Sequence, residues 1–304
     1  MNYKTSQKNR AISLLSKFFK DPGGGIFDKL PRPFILLDPV LNLWEGIRSD
    51  AINYFSRNKI SWWDSGTKPT GHLLSSQVAC VNHLYYLRQR EDITSRILRS
   101  LNPNFKKAVV IDDGFVEFEM VGKERLGKEK QQTRGANCTS VDAMMLAEDD
   151  YGKRTLVLIE WKYIESYSVE DKSVGSSGKV RLDAYKDFLS AKDCPINPTF
   201  FNDCFYEPFY QLMRQTFLGW TMAKRKEFGA EDWIHIHVIP GDNLELRNAV
   251  TSPGLTGKNL EEAWRKVLVE PNRYLCITPE DFLLPIYSCR DRKSLTDYLK
   301  IRYW

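Results

Sequence analysis

The sequence lacks the cysteine and histidine patterns that build zinc sites or disulfide scaffolds. Its six cysteines, in 304 residues, form no Cys-x-x-Cys pair and no zinc-type Cys/His spacing. It also lacks a long apolar run, since stretches such as residues 155–159 are far too short to span a bilayer. The first residues are polar and lack the apolar stretch that is typical of a secretory signal. We therefore predict reduced thiols, no membrane partner and a cytoplasmic location.

Two glycine-containing segments lack the spacing of nucleotide-binding loops. The run at residues 21–25 follows no predicted strand and has no Gly-x-Gly-x-x-Gly pattern, which argues against a dinucleotide site. Residues 175–179 read Gly-Ser-Ser-Gly-Lys, with too few residues between the glycines and Val180 after the lysine. This second segment, with Lys179 and Arg181, is better interpreted as a flexible basic lid.

Length and composition set the broad class of the protein. Hydrophobic residues make up 42% and charged residues 27%, as in an ordinary soluble domain. The formal net charge of +5 favours a polyanionic partner only weakly. A chain of 304 residues fits one large domain with an extension. We predict an N-terminal helical extension over residues 1–70 and a main domain over residues 71–304.

Apolar periodicity predicts helices and strands in a definite order. Helices are predicted at residues 11–20, 38–57, 73–101 with a break near Glu91, 181–191, 207–228 and 260–269, and strands at residues 115–121, 139–147, 155–163 and 233–239. The third strand is almost wholly apolar up to Glu160, which is typical of a central strand covered on both faces. The middle of the chain thus reads helix, three strands, helix, strand.

Two of these strands bring two acids together. The loop between residues 147 and 155 contains Asp149, Asp150 and Gly152, which favour a turn between antiparallel strands. If the two ends of this loop face each other, Asp142 lies directly opposite Glu160, with Cβ atoms about 5 Å apart. Carboxylates at that distance repel, so one is protonated or a cation lies between them.

A divalent cation with oxygen ligands, Mg²⁺ or Mn²⁺, would relieve that repulsion. Lys162 lies two residues beyond Glu160 and therefore on the same face of the strand. A metal between two acids activates water and neutralises phosphate charge, and a lysine beside it orients the water or stabilises the developing oxyanion. The set predicts hydrolysis of phosphodiester bonds, although an ordinary charged surface hairpin is the alternative interpretation.

The segments Ser140-Val141-Asp142-Ala143 and Leu158-Ile159-Glu160-Trp161-Lys162 resemble the motif of the PD-(D/E)xK nuclease superfamily, although no proline precedes Asp142. The resemblance covers about residues 73–240. It implies an α/β restriction-endonuclease-like core, with a central mixed β-sheet flanked by helices in α-β-β-β-α-β order. It also implies that Asp142 and Glu160 bind the metal and that Lys162 is the catalytic lysine.

The helix at residues 207–228 adds further candidates. Gln211, Arg214 and Gln215 share one face by their spacing. RecB-like members of the superfamily carry a glutamine that faces the site, so the resemblance makes Gln211 a candidate catalytic residue. Arg214 and Gln215 become candidate nucleic-acid contacts, as do Lys179 and Arg181 in the basic lid. A solvated polar face explains the same spacing.

Superfamily members often add an acid from the first core helix. The helix at residues 73–101 offers Gln77 but no early acid, so Glu45 on the preceding helix is the candidate third metal ligand. A surface glutamate is the alternative explanation of Glu45. Gln77 and His72 are candidate nucleic-acid contacts. His235 and His237 alternate along one strand, and without further ligands nearby we expect a half-exposed strand face rather than a zinc site.

We thus predict a Mg²⁺- or Mn²⁺-dependent deoxyribonuclease, a hydrolase whose partner is DNA and whose role is restriction, defence or repair. A homodimer is compatible with this function, because cutting two strands commonly uses two sites related by twofold symmetry. The alternative is a catalytically silent nuclease-like domain that binds nucleic acid or a partner protein. The intact set of Asp142, Glu160 and Lys162 argues against it.

Overall fold

The computed structural model describes residues 2–64, 66–123, 126, 134–135, 138–175, 181–289, 291 and 293–304. Its helices are α1 (Tyr3–Leu14), α2 (Arg48–Arg57), α3 (Ser76–Leu84), α4 (Glu91–Leu101), α5 (Lys186–Leu189), α6 (Phe209–Lys224), α7 (Leu244–Arg247), α8 (Leu260–Val267), α9 (Pro279–Phe282) and α10 (Lys293–Arg302). Its strands are β1 (Ile26–Phe27), β2 (Leu30–Pro31), β3 (Phe105–Val109), β4 (Glu117–Met120), β5 (Val141–Asp149), β6 (Arg154–Trp161), β7 (Ala230–Val238) and β8 (Tyr274–Ile277).

Six strands form a central mixed sheet. The order is β3-β5-β6-β7-β8, and β4 pairs with β5 beyond the end of β3. β3, β4 and β6 each run antiparallel to β5, whereas β6, β7 and β8 run parallel to one another. The parallel step from β6 to β7 is made through α6, as a parallel crossover requires. The predicted α/β class and mixed sheet flanked by helices are confirmed; β4, β5, β6, α6 and β7 follow the predicted order, and β3 is an additional strand before them.

The hairpin of β5 and β6 has the register that the sequence predicts. Ala143 pairs with Ile159, and the pairing continues to Glu148 and Arg154 beside the turn. Asp149 Oδ1 accepts hydrogen bonds from the backbone N–H groups of Tyr151 and Lys153, each at 2.9 Å, which closes the turn. A short turn fixes the register, and the register fixes which face each side chain occupies.

Both faces of the sheet are covered by apolar layers. One layer joins alternate residues of β5 and β6, such as Ala143 and Ile159, to helices from the two ends of the chain. The other joins the intervening residues, such as Met144 and Leu158, to α6 and α8. This double cover explains the nearly unbroken apolar sequence of β6. Residues on both sides of position 70 pack together in the first layer. The division of the chain at that position into an N-terminal extension and a main domain stays a prediction.

Several predicted elements differ in detail from the structure. The helix expected at residues 38–57 is three pieces: Asp38 caps a 3₁₀ turn at Pro39–Asn42, a second 3₁₀ turn is Glu45–Ile47, and only α2 is α-helical. The helix expected at residues 73–101 breaks at Tyr85–Gln89, close to the predicted position. The helix expected at residues 181–191 is only a 3₁₀ turn followed by the single turn of α5. Helical structure at the N-terminus begins earlier than expected, at Tyr3.

Within the described part of the chain, no helix combines the length and the apolar character needed to cross a bilayer. Among the described residues no disulfide joins any of the six cysteines, and Cys80, Cys204 and Cys289 are buried.

Candidate active site

The strands of the hairpin part at Asp142. The β5–β6 ladder ends at Ala143 and Ile159, one residue before Asp142 and Glu160 would pair. Asp142 Oδ2 instead accepts the backbone N–H of Trp161 at 2.7 Å. The carboxylate thus takes the place of a strand carbonyl and stays near enough to Glu160 for their charges to interact while the backbones separate.

Glu160 and Lys162 form a buried ion pair that Gln211 holds from α6. Lys162 Nζ lies 2.6 Å from Glu160 Oε1, and the two residues are 5% and 3% exposed. Gln211 accepts a hydrogen bond from Lys162 Nζ at 2.6 Å and donates one to Glu160 Oε1 at 2.8 Å. The side-chain amide of Gln211 therefore holds the Glu160 carboxylate and the Lys162 ammonium in a fixed arrangement.

The next turn of α6 completes the contacts to Glu160. Gln215 is 1% exposed and donates to Glu160 Oε2 and, at 3.0 Å, to the backbone carbonyl of Ser140. Arg214 lies on the outer side of the helix, where its Nε donates to Thr139 Oγ1 at 2.9 Å. Of these two predicted nucleic-acid contacts, Gln215 lies against the carboxylate and Arg214 lines the cleft outside it.

A third acid, which the sequence analysis missed, lies beside Asp142. β4 pairs with β5 so that Phe118 opposes Ala143 and Met120 opposes Val141, which places Glu119 next to Asp142. The φ angle of Glu119 is +49°, a conformation uncommon for residues other than glycine. This conformation interrupts the alternation of side chains between the two faces of β4: Phe118 and Met120, two residues apart, lie in opposite apolar layers. The only signal in the sequence was the acidic alternation of residues 115–121.

Burial and crowding shift the titration of these groups. Burial raises the pKa of Asp142 well above its usual value, and the negative charges of Glu160 and Glu119 raise it further. Burial also raises the pKa of Glu119 to about 7, against the hydrogen bonds that it accepts from Gln77 and Ser140. Burial disfavours the charged form of Lys162, but the carboxylate of Glu160 outweighs it and holds the lysine pKa well above its ordinary range.

Two adjoining clefts reach the acids and the lysine. A cleft of about 680 Å³ is lined by Asp142, Glu119, Gln77 and His72, among others. A second cleft, of about 490 Å³, is lined by Lys162, Gln211, Arg214 and Lys172. Glu165 and Ser166 line both, so this short segment lies between the two halves of the site.

Four other predicted site residues lie further out. Gln77 and His72 are each 8% exposed; Gln77 Nε2 donates to Glu119 Oε1 at 2.7 Å, and His72 packs among aromatic rings. Arg181 donates to the backbone carbonyl of Lys172 at 2.9 Å, at the edge of the second cleft. Glu45 is exposed in its 3₁₀ turn and lines neither cleft. Lys179 lies outside the described residues.

The expectation that His235 and His237 occupy a half-exposed face is wrong. They are 1% and 0% exposed, because β8 covers the edge of β7 and α6 packs on its face. His237 Nδ1 lies 2.8 Å from the hydroxyl of Tyr274 on β8. β8 was absent from the predicted elements, which made β7 look like an edge strand.

The donor atoms of the site suit a hard divalent cation. The described residues hold no ready group of three acidic, histidine or cysteine ligands. Mg²⁺, however, is usually held by one or two carboxylates and completes its shell with water. The hydrogen bond to Trp161 uses only Oδ2 of Asp142, and three neighbouring carboxyl groups lie near a single lysine. Asp142 and Glu160, with Glu119 nearby, are the residues that could hold such an ion.

Comparison with known proteins identifies the family. A family model described as a restriction endonuclease associating with ARP, REase-ARP, matches residues 9–304. No significant match was found among curated proteins or among solved structures. The matched region includes the sheet, both apolar layers and every site residue described above. The chain therefore belongs to the REase-ARP family, a restriction-endonuclease-like family.

Proposed function

We propose that this chain is a metal-dependent nuclease that hydrolyses phosphodiester bonds of DNA, with a site of the PD-(D/E)xK type. Membership of a restriction-endonuclease-like family indicates a nuclease in general terms. The finer proposal depends on one observation: where the two strands part, Asp142 accepts the backbone N–H of the residue after Glu160 at 2.7 Å, and Lys162 contacts Glu160 at 2.6 Å. The chemistry of this set is that of phosphodiester hydrolysis.

Each residue of the set has a separate task. Mg²⁺ or Mn²⁺ held by Asp142 and Glu160 would lower the pKa of a bound water and neutralise phosphate charge. Lys162, protonated because its pKa is raised, donates hydrogen bonds to the attacking water or to the phosphate oxygens. Gln211 keeps the ammonium and the carboxylate in fixed relation, and Arg214 contacts the phosphate backbone from the second cleft.

Cleavage assays with matched variants test this proposal. We expect purified protein to cut plasmid or linear DNA with Mg²⁺ or Mn²⁺ and not with EDTA. Asp142→Asn, Glu160→Gln and Lys162→Met should each abolish cleavage, and Gln211→Leu should slow it about 10- to 100-fold, as is usual for a residue supporting a metal site. The matched control is Asp150→Asn, an exposed acid of the same hairpin, which should leave the rate unchanged.

The assay also separates the alternatives. Metal-independent DNA binding without cleavage would support the silent nuclease-like domain. Cleavage that survives Asp142→Asn would place the activity elsewhere.

The family description names an association with ARP, which we extend to this chain as a proposed partner. A homodimer remains part of the proposal, and light scattering with and without DNA measures it.

A further inference from the structure

The larger cleft has an aromatic wall that the proposed chemistry does not use. Four rings, those of Phe27, Phe34, Trp63 and His72, form this wall beside the acids. The ring centres of Phe27 and Trp63 are 5.7 Å apart, and that of His72 lies 4.8 Å from Phe27 and 5.3 Å from Trp63. Trp63 is 44% exposed although it belongs to this cluster. Phe34 and His72 are only 9% and 8% exposed, so the open ring of this wall is that of Trp63, and an exposed tryptophan beside a candidate nuclease site suits a ligand with a flat face.

A two-stranded hairpin extends this aromatic wall outward. β1 and β2 are joined by Asp28 and Lys29, whose φ angles of +51° and +64° are those of a tight two-residue turn. The hairpin carries two exposed aliphatic side chains, Ile26 at 65% and Leu30 at 53%. Because Leu30 pairs with Phe27, it shares that face of the hairpin. An apolar tip thus stands next to the aromatic wall.

Basic side chains surround the same opening. Lys4 and Lys8 lie one turn apart on α1 and are exposed, and Arg32 follows the hairpin. Lys8 Nζ lies 4.8 Å from the ring centre of Phe34, so the charge sits directly at the aromatic wall. A cleft that combines several cations with an exposed aromatic ring, here that of Trp63, is characteristic of surfaces that bind unpaired nucleotides.

Hydrogen bonds tie the aromatic wall to the acids. The backbone N–H of Trp63 donates to Gln77 Oε1 at 2.8 Å, and Gln77 Nε2 donates in turn to Glu119 Oε1 at 2.7 Å. Gln77 also donates to the backbone carbonyl of Ser61 at 3.1 Å. The wall is therefore held at a fixed position relative to Glu119 and Asp142.

We infer that the aromatic wall stacks an unpaired base of the substrate strand, with Lys4, Lys8 and Arg32 holding the adjoining phosphates. This inference rests on the proposed nuclease function and narrows its substrate to DNA that is single-stranded or locally opened beside the scissile bond. A paired base shows only its edges in the grooves. Its face becomes available for stacking on Trp63 only when the base leaves the helix.

Binding in EDTA tests the inference without cleavage. The probes are a fully paired duplex and the same duplex with one unpaired 2-aminopurine, whose fluorescence falls when it stacks. Wild-type protein should bind the unpaired probe more tightly and quench its fluorescence. Trp63→Ala should weaken that binding about tenfold and remove the quenching, and Trp63→Phe should retain most of both. Tyr151→Ala, at an aromatic that is 95% exposed in the β5–β6 turn, is the control and should change neither.

Other outcomes overturn the inference. Equal affinity for the two probes, or equal weakening of both by Trp63→Ala, would show that no base is stacked there. If Trp63→Ala fails to fold by circular dichroism, Trp63→Leu, which keeps an apolar side chain but has no aromatic face, gives the same comparison. Failure of the nuclease proposal is a separate result, since it is seen in cleavage assays, whereas base stacking is read from the 2-aminopurine signal.

Discussion

Asp142 is held where its charge is unfavourable, because partial burial in the cleft wall disfavours the carboxylate and the negative charges of Glu160 and Glu119 are close by. In catalytic sites such crowding is common, since the groups that bind a substrate or an ion have unsatisfied charge until it arrives. The stability of the free protein is reduced as a result. The positive φ angle of Glu119 further reduces the stability of the free protein, because this backbone conformation is strained. Strain of this kind concentrates at functional sites.

Removing the charge of Asp142 should therefore stabilise the metal-free protein. We expect Asp142→Asn to raise the free energy of unfolding at pH 7.5 in EDTA by on the order of 1 kcal/mol, the scale of a close cross-strand charge pair. Asparagine can still accept the N–H of Trp161. Urea unfolding measures the change, with Asp150→Asn as the exposed control. A destabilised Asp142→Asn protein would mean that the carboxylate is satisfied in the free protein.

The residues of the site differ in how far the sequence could place them. Asp142, Glu160 and Lys162 follow from two simple regularities, the period of two along a strand and the register set by a short turn. Glu119 could not be placed in that way, because its positive φ angle breaks the same period. Gln211 came from the resemblance, and its hydrogen bonds to Glu160 and Lys162 depend on how α6 crosses the sheet.

At the scale of elements, β4 is positioned by a buried ion pair. Arg88, in the 3₁₀ turn between α3 and α4, lies 2.7 Å from Glu117 on β4, and their side chains are 4% and 0% exposed. Tyr54 on α2 donates to the same carboxylate at 2.5 Å. Two helical segments thus fix the strand that carries Glu119.

Breaking this ion pair should be costly, because it leaves a buried charge with too few partners. We expect Arg88→Met to lower the free energy of unfolding by about 3–5 kcal/mol. Arg88→Met combined with Glu117→Gln should recover part of the loss, since the second change removes the uncompensated charge. Lys224→Met breaks an exposed pair with Asp193 and should cost less than about 1 kcal/mol. Similar losses for Arg88→Met and Lys224→Met would contradict this account.

The elements that the sequence did not predict share a physical reason. β3 and β8 have five and four residues and lie at the edges of the sheet, where half-exposed side chains give little apolar pattern. Residues 181–191 have a helical composition, but only one α-helical turn forms between short 3₁₀ segments. The long central elements, β5, β6 and α6, bury most of their residues and were predicted to within a few positions.

At the scale of the whole molecule, all four histidines are buried. Burial lowers the pKa of His72 to about 4 and those of His83 and His235 to about 3, and it lowers that of His237 well below its usual value. Neighbouring cations, Lys162 near the strand pair and Arg302 near His83, act in the same direction. Histidines of the unfolded chain titrate near pH 6.5.

Acid should therefore destabilise the fold through these histidines. A lowered pKa in the folded protein means that stability is fully present above about pH 6.5 and is lost as the pH falls toward the folded pKa, by about 1.4 kcal/mol per pH unit for each group. Glu117, Glu119 and Asp142 oppose this, because their pKa values are raised and folding favours their protonated forms. Glu207, whose pKa burial also raises, acts in the same direction, so the loss of stability on acidification is smaller than the four histidines alone would give.

The variant His235→Leu isolates one of these contributions. Among the residues that the structure describes, neither ring nitrogen of His235 has a hydrogen-bond partner, and leucine suits its apolar surroundings beside Leu158. As the pH falls from 6 to 4.5, the free energy of unfolding of this variant should rise relative to wild type by about 1.4 kcal/mol per pH unit, because the unfolded variant has one fewer group to protonate. Urea unfolding at several pH values measures the difference, and Tyr151→Leu, at an exposed site, should run parallel to wild type. A difference between His235→Leu and wild type that does not change with pH would mean that His235 keeps its proton in the folded protein.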